Sequence, residues 1–320
     1  MWYTKTHTSR MEYDLAIIGG GPAGVAAGVY ASRKKLKTIF ITEEFGGQSS
    51  VSAEIQNWIG TVSIPGIAFA KKLKEHLEVY KSDVVEIIEG DRVTKLEKAG
   101  ESRFKLTTKN GATYETGAVL IASGAHRRKL EVPGAKEFDQ KGLTYCASCD
   151  GPLFTDQDVV VIGGGNAGFE TAAQLLAYTK SVTLLHRSAE FSKADPITVE
   201  KVLAHPKMKA LKSTEPTEVK GDKFVTGVVY KNTATGETGE LAVTGVFVEI
   251  GLVPNTDFAE GLVALDEYKR IVVDPKNQKT SVPGVWAAGD CTNELYHQNN
   301  IGAGDAVKAL EDIYVHLKAR

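Results

Sequence analysis

An α/β fold is what this sequence predicts: two Rossmann-like, three-layer nucleotide-binding domains, one inserted into the other. Three observations carry that expectation. A strand–glycine turn–helix pattern opens the chain around Gly19-Gly20-Gly21-Pro22-Ala23-Gly24. The pattern returns at Gly163-Gly164-Gly165-Asn166-Ala167-Gly168, 144 positions on (163 − 19). Between the two lies Tyr145-Cys146-Ala147-Ser148-Cys149-Asp150-Gly151, which holds two of the three cysteines.

The elements follow in order. Glu12 to Ile18 is an apolar run read as a strand, and the small-residue stretch through Arg33 reads as a helix. In such a turn Gly19 permits the bend, Gly21 lets the backbone approach a pyrophosphate, and Gly24 lets helix and strand pack closely. The phosphates would sit on the helix N-terminus, where unpaired N–H groups and the dipole favour anions. A second strand, Thr38 to Thr42, ends in Glu43-Glu44, about 20 residues past the glycines, where a ribose-binding acid is expected. Gly66 to Lys81 reads as an amphipathic helix with Ile67, Ala70, Leu73 and Leu77 on one face. Val84 to Thr108 alternates apolar and polar residues, as antiparallel strands do. Ala118 to Ala122 is another buried strand, closed by Ser123-Gly124-Ala125.

The second unit repeats the plan: Asp158 to Ile162 is a strand, Phe169 to Tyr178 a helix, Val182 to Leu185 the next strand. Lys223 to Tyr230 and Gly239 to Ile250 read as further strands. Ile271 to Val273 and Val285 to Ala288 are short strands, and Ile301 to Leu317 is a closing helix.

Composition narrows the class. At 320 residues there is room for about two ordinary domains. A net charge of −2 leaves no basic footprint for nucleic acid. No apolar run approaches the ~20 residues of a membrane helix. Met1 to Arg10 is polar, lacks the apolar core of a signal peptide and reads as a loose tail. A Cys-x-x-Cys pair suits a reducing compartment, so a cytoplasmic protein is expected. Two such cysteines can close a small disulfide or share a metal. A zinc site would need two more ligands; the one other cysteine, Cys291, lies in a separate segment, and the seven histidines show no paired ligand spacing. No metal is expected. The redox reading also explains the neighbours, because a reversible disulfide needs a source of electrons and two dinucleotide sites supply one.

Taken together, Tyr145 to Gly151, the two glycine fingerprints, Gly46-Gly47-Gln48 and Gly284-Val-Trp-Ala-Ala-Gly-Asp290 resemble the low-molecular-weight thioredoxin reductases, from Glu12 to the C-terminus. The chain is also similar to the C-terminal reductase part of the flavoprotein subunit of alkyl hydroperoxide reductase. Cys149-Asp-Gly-Pro-Leu-Phe154, Val246-Phe-Val-Glu-Ile-Gly-Leu-Val-Pro-Asn255 and Gly289-Asp-Cys-Thr292 carry that second likeness. That flavoprotein has an extra N-terminal thiol domain, so the resemblance implies a partner that is a separate molecule.

The resemblance implies an FAD domain from residues 1–123 and 251–320, and an inserted NAD(P)H and dithiol domain from 124–250. FAD would lie on Gly19, Gly21, Pro22, Ala23 and Gly24, with Glu43 or Glu44 on the ribose. Gln48 and Asn57 would stand near the flavin, Asp290 on the ribityl or phosphate side and Gln298 near the ring; Gly47 and Gly124 complete the set. The family's Tyr-Arg-Gln is Tyr296-His297-Gln298 here, so the arginine's role is not carried over. The nicotinamide nucleotide would lie on Gly163, Gly165, Asn166, Ala167 and Gly168. Reductases that use NADPH typically show His-Arg-Arg and a further arginine, whose planar donors fit the 2′-phosphate. Here the stretch runs His186-Arg187-Ser188-Ala189-Glu190-Phe191-Ser192-Lys193. Arg187 and Lys193 favour NADPH, with NADH as the alternative.

By the same resemblance Cys146 is the outward nucleophile, Cys149 faces the flavin and Asp150 is the general acid/base. The implied enzyme is an FAD-dependent thioredoxin-disulfide reductase, a homodimer moving electrons from NAD(P)H to a thioredoxin- or glutaredoxin-like protein. One domain would rotate about hinges near Ser123-Gly124 and Ile250-Gly251. The alternatives of the same fold are a ferredoxin-linked reductase, an oxygen-dependent dithiol oxidase and an NAD(P)H oxidase. A non-catalytic nucleotide-binding module is the alternative from another class.

Overall fold

The computed structural model describes residues 13–52 and 54–318; the tail expected at Met1 to Arg10, and Glu12, lie outside them. The first unit begins β1 (Tyr13–Gly20), α1 (Pro22–Arg33), β2 (Thr38–Phe45), α2 (Gly66–Tyr80) and β3 (Val85–Glu89). It continues β4 (Val93–Lys98), β5 (Phe104–Thr108) and β6 (Thr113–Ile121). Strands β3, β2, β1 and β6 lie side by side and parallel. A parallel strand covered on both faces must be apolar throughout. Leu15 and Ile17 accordingly bury on one face of β1, Ala16 and Ile18 on the other. Two expectations need correction. Val85–Glu89 is parallel to β2, not antiparallel, because α2 acts as a crossover; the antiparallel pairing begins at β4–β5 and continues from β5 to β6. In α2 the buried face runs through Phe69, Leu73 and Leu77, at i, i+4, i+8, whereas Ile67 is 79% exposed.

The chain then passes through β7 (Ala125–Arg127), β8 (Leu143–Thr144), the one-turn helix α3 (Ala147–Asp150), β9 (Asp158–Ile162), α4 (Asn166–Leu176) and β10 (Ser181–Leu185). Next come α5 (Pro196–Leu203), β11 (Met208–Leu211), β12 (Thr214–Gly221), β13 (Val225–Asn232), β14 (Thr238–Leu241) and β15 (Gly245–Val248). The order β11-β10-β9-β15-β8 makes a parallel sheet. Phe169, Ala172 and Leu175 of α4, with Val202 of α5, cover Val159 and Val161 on one face. The antiparallel sheet β12-β13-β14 supplies Val219, Val225 and Val228 against Val160 and Ile162 on the other. The outer layer on that side is therefore a sheet, not helices. The run Gly239 to Ile250, expected as one strand, is two: it leaves the antiparallel sheet at Leu241 and joins the parallel one at Gly245.

After β16 (Leu252–Pro254) the chain ends in β17 (Val285–Ala287) and α6 (Asn299–Lys318). β17 pairs with Val119–Ile121 of β6, completing the parallel part of the first sheet. Ile271 to Val273 is not a strand; Ile271 alone makes isolated bridges, to Leu265 and Thr292. Among the described residues, those from Tyr13 to His126 and from Val253 to Lys318 form one compact unit, and Arg127–Leu252 form the other.

Candidate active site

The first glycine turn is a steric construction. Gly19 has φ +114°, and a Cβ there would lie 2.2 Å from the Ala122 carbonyl oxygen. A Cβ on Gly24 would lie 1.9 Å from the Gly19 carbonyl oxygen, so α1 can start this close to β1 only on glycine. Gly21 differs: nothing lies within 4 Å of where its Cβ would be. It caps α1 with no side-chain partner, which leaves first-turn N–H groups for an anion. A cavity of about 520 Å³ opens here.

Of the residues expected for FAD, Gly19, Gly21, Pro22, Ala23, Glu43, Glu44, Gly47, Gln48, Gly124, Asp290 and Gln298 line this cavity. Gly24 supports it from behind. Asn57 is not part of the wall: its Nδ2 donates to Gln298 Oε1 at 3.2 Å, and its carbonyl accepts from Asn300 at 2.8 Å. The donor set fits a dinucleotide, with an uncapped helix start for pyrophosphate and two exposed carboxylates at the end of β2 for ribose hydroxyls. Sequence reasoning missed Arg92, Asn255 and Asp257 in the wall. Asn255 holds the Ser123–Gly124 rim: its Nδ2 donates to the Ser123 carbonyl at 2.9 Å, and the Ser123 hydroxyl donates to the Asn255 carbonyl at 2.7 Å. Cys291 is fully buried, its Sγ donating towards the Ile121 and Ala288 carbonyls, and burial pushes its thiol up to about 11. So protonated, it is no nucleophile at neutral pH.

In the second unit β8 ends at Thr144 and delivers Cys146 to the N-cap of α3, where it is disulfide-bonded to Cys149. Both are half-buried, as is Asp150. The Thr144 hydroxyl, itself buried, donates to the Asp150 carboxylate and accepts the Cys146 N–H at 3.3 Å. Thr144, which sequence reasoning missed, thus ties the acid to the cysteine turn. Burial pushes the Asp150 carboxyl above its ordinary range, against the Thr144 hydrogen bond and the Arg127 charge. That is the direction a proton donor near neutral pH requires.

The second glycine turn repeats the first. Gly163 has φ +125° and packs against the Glu249 carbonyl; a Cβ on Gly168 would lie 1.9 Å from the Gly163 carbonyl oxygen. Gly165 caps α4 without a side-chain partner, and the nearest atom to a Cβ there is 3.9 Å away. Ala167 is exposed on the first turn of α4. The Asn166 side chain is already engaged, accepting the Asp195 N–H at 2.7 Å. The His186 ring packs against Gly164 and its Nε2 lies 2.9 Å from the Glu190 carbonyl oxygen, so it braces the loop. Arg187, Ser188 and Lys193 are exposed. Nearby Lys212 is paired with Glu190 at 2.8 Å. Among the described residues no cluster of His, Cys, Asp and Glu is placed to hold a metal, and no helix is long and apolar enough to cross a membrane.

Two glycine turns of the dinucleotide-binding type, with a disulfide-bonded cysteine pair after the first, define the class of fold. The chain belongs to the pyridine nucleotide-disulphide oxidoreductase family, whose model matches residues 13–307. Among solved structures it resembles thioredoxin reductase from Giardia duodenalis (TM-score 0.89, 33% identity, 97% of this chain and 100% of that one). It likewise resembles thioredoxin reductase from Streptococcus pyogenes (TM-score 0.87, 34% identity, 98% of this chain and 100% of that one). It is 40% identical over 305 residues to a protein of Bacillus subtilis named NADH dehydrogenase, covering 95% of this chain and 58% of the relative. It is 39% identical over 310 residues to a Pseudomonas putida protein named as a component of alkyl hydroperoxide reductase, covering 97% of this chain and 59% of the relative. The chain thus spans under two thirds of the length of these two curated relatives.

Proposed function

We propose that the chain is a thioredoxin-disulfide reductase-like enzyme, passing electrons from NAD(P)H by way of FAD to Cys146 and Cys149 and on to a thioredoxin- or glutaredoxin-like partner. The observation that carries the reading is the Cys146–Cys149 disulfide beside Asp150, with Thr144 joined to both the acid and the cysteine turn. Bound FAD supplies a two-electron carrier between a nicotinamide and a dithiol. The residues up to His126 and from Val253 would hold it, the N–H groups after Gly21 on its pyrophosphate, Glu43 or Glu44 on its ribose, Gln48, Asp290 and Gln298 along the rest. The Arg127–Leu252 unit would take NADPH on Gly165 and Ala167, with Arg187 and Lys193 on the 2′-phosphate; NADH is the alternative donor. Once the pair is reduced, the Cys146 thiolate attacks one sulfur of the partner's disulfide. A mixed disulfide forms, and the partner's other sulfur leaves with a proton from Asp150. Cys149 then displaces the partner and regenerates the Cys146–Cys149 bond. A homodimer, a cytoplasmic location and rotation of one unit about the crossings near Gly124 and Gly251 belong to the same reading.

Anaerobic stopped-flow reduction with NADPH and with NADH tests the donor. Rapid bleaching of the flavin is expected, faster with NADPH. Failure of both nucleotides rejects the nicotinamide and leaves ferredoxin or a substrate dithiol as the source. Asp150→Asn is expected to slow partner reduction by roughly a hundredfold while leaving flavin bleaching intact. Because burial raises its carboxyl, the wild-type rate should fall as pH rises through that group's range, and the Asn variant should lose this limb. A pH profile shared by both proteins would remove Asp150 from the proton path. A second reading, an NAD(P)H oxidase, is favoured by the relative named NADH dehydrogenase; it requires oxygen consumption that does not need Cys149.

A further inference from the structure

Glu249 is a half-buried charged side chain that neither the flavin cavity nor the dithiol uses. It follows β15, at the carboxyl ends of the parallel strands β9 and β15, where open α/β sheets take their ligands. Its N–H donates to the Ile162 carbonyl at 2.8 Å. Its own carbonyl oxygen presses on Gly163, where a Cβ would lie 2.2 Å away. The Glu249 backbone is therefore one wall of the second glycine turn.

The side chain, 12% exposed, accepts from the Thr171 hydroxyl at 2.9 Å and faces the Arg127 guanidinium at 3.7 Å. The charged groups around it are Arg127 from β7 and Glu170 from α4. Burial, aided by Glu170 and opposed by Arg127 and Thr171, pushes the Glu249 carboxyl up to about 7. A carboxyl in its ordinary range would hold no proton at neutral pH; this one exchanges it there.

We infer that Glu249 and Arg127 make nicotinamide-nucleotide binding at the second glycine turn proton-linked, Glu249 taking up a proton as the anionic nucleotide binds. The inference rests on the reading of that turn as the NAD(P)H site. While Glu249 is ionised it matches the Arg127 charge. With a proton on Glu249 the guanidinium is uncompensated, and its field favours a pyrophosphate on the start of α4. Linkage makes the effect reciprocal: the bound anion raises the affinity of Glu249 for its proton. Nucleotide release would then return that proton.

The test is the dissociation constant of NADPH and of NADH for the oxidised, flavin-loaded protein, with calorimetry in two buffers of different ionisation heat. Wild-type affinity is expected to fall roughly fivefold from about pH 6 to about pH 8, with partial proton uptake near neutrality. Glu249→Gln is neutral and still accepts from Thr171. It should bind at the upper pH about as tightly as wild type binds at the lower, with that slope lost. Glu249→Asp, which restores a titrating group, should restore a slope. Titration of the 2′-phosphate is common to all three proteins and absent with NADH. A Gln variant that keeps the wild-type slope, or wild-type binding without proton uptake, overturns the inference. If wild type binds neither nucleotide at any pH, the site reading itself falls and takes the inference with it.

Discussion

Cys149→Ser is expected to abolish partner-disulfide reduction, a loss of about a thousandfold or more, while the flavin still bleaches with the nicotinamide. A serine oxygen cannot close a disulfide with Cys146, so the variant has no second thiol to resolve a mixed disulfide. Anaerobic titration should therefore show the variant taking up two fewer electrons per chain than wild type. Incubated with a reducible partner it should also trap a covalent adduct at Cys146, visible on a non-reducing gel and released by a small thiol. Adduct formation separates the roles of the two cysteines, because Cys146→Ser should give no adduct at that position. Continued turnover of a protein disulfide by Cys149→Ser would take the pair off the electron path. Sustained oxygen-dependent NADH consumption in the variant, at the wild-type rate, would make the oxidase reading the leading one.

How much of this was legible in the sequence depends on how local each constraint is. The β1–α1 and β9–α4 units were readable because their glycines answer to atoms a few residues away: Gly24 to the Gly19 carbonyl, Gly168 to the Gly163 carbonyl. The direction of β3 was not, since nothing in Val85–Glu89 distinguishes a strand returned by a crossover helix from one returned by a hairpin. Strand β12 was passed over because Thr214–Gly221 is polar along most of its length, with Thr214 and Val219 its buried residues. Helix α5 did carry a local signal. Asp195 accepts the Thr198 N–H at 2.8 Å and Pro196 follows it, the expected chemistry of a helix start.

The site divides the same way. Cysteine spacing and glycine spacing declare themselves in the chain, whereas Thr144, Arg127 and Glu249 matter through the groups that folding sets beside them. A buried hydroxyl two residues before Cys146 looks like any strand threonine until Asp150 comes back over it through the turn of α3. Glu249 sits in an apolar run, Val246 to Ile250, and its interruption of that run was the one visible hint. Asn57, expected near the flavin by resemblance, reaches the cavity through its partner: its side chain donates to Gln298, which lines the wall.

The two glycines of the first turn should fail in different ways, and Gly24→Ala is the larger loss. A methyl there would lie 1.9 Å from the backbone oxygen of Gly19, an atom fixed by the strand and unable to swing aside. Relief requires α1 to lift from β1, at a cost of about 3 kcal/mol or more. The flavin-free variant should melt well below flavin-free wild type, and it should purify colourless. Gly21→Ala meets no atom within 4 Å and has an extended backbone that any residue adopts, so the flavin-free protein should melt like wild type. Its methyl instead occupies the space a pyrophosphate would need, so the flavin should bind more weakly by roughly tenfold or more. Melting curves on flavin-free protein and a flavin titration separate the two effects, because bound cofactor would otherwise add its own stabilisation. Equal melting of Gly24→Ala and wild type would show that α1 does not depend on the close approach. Unchanged flavin affinity in Gly21→Ala would move the pyrophosphate away from the start of α1.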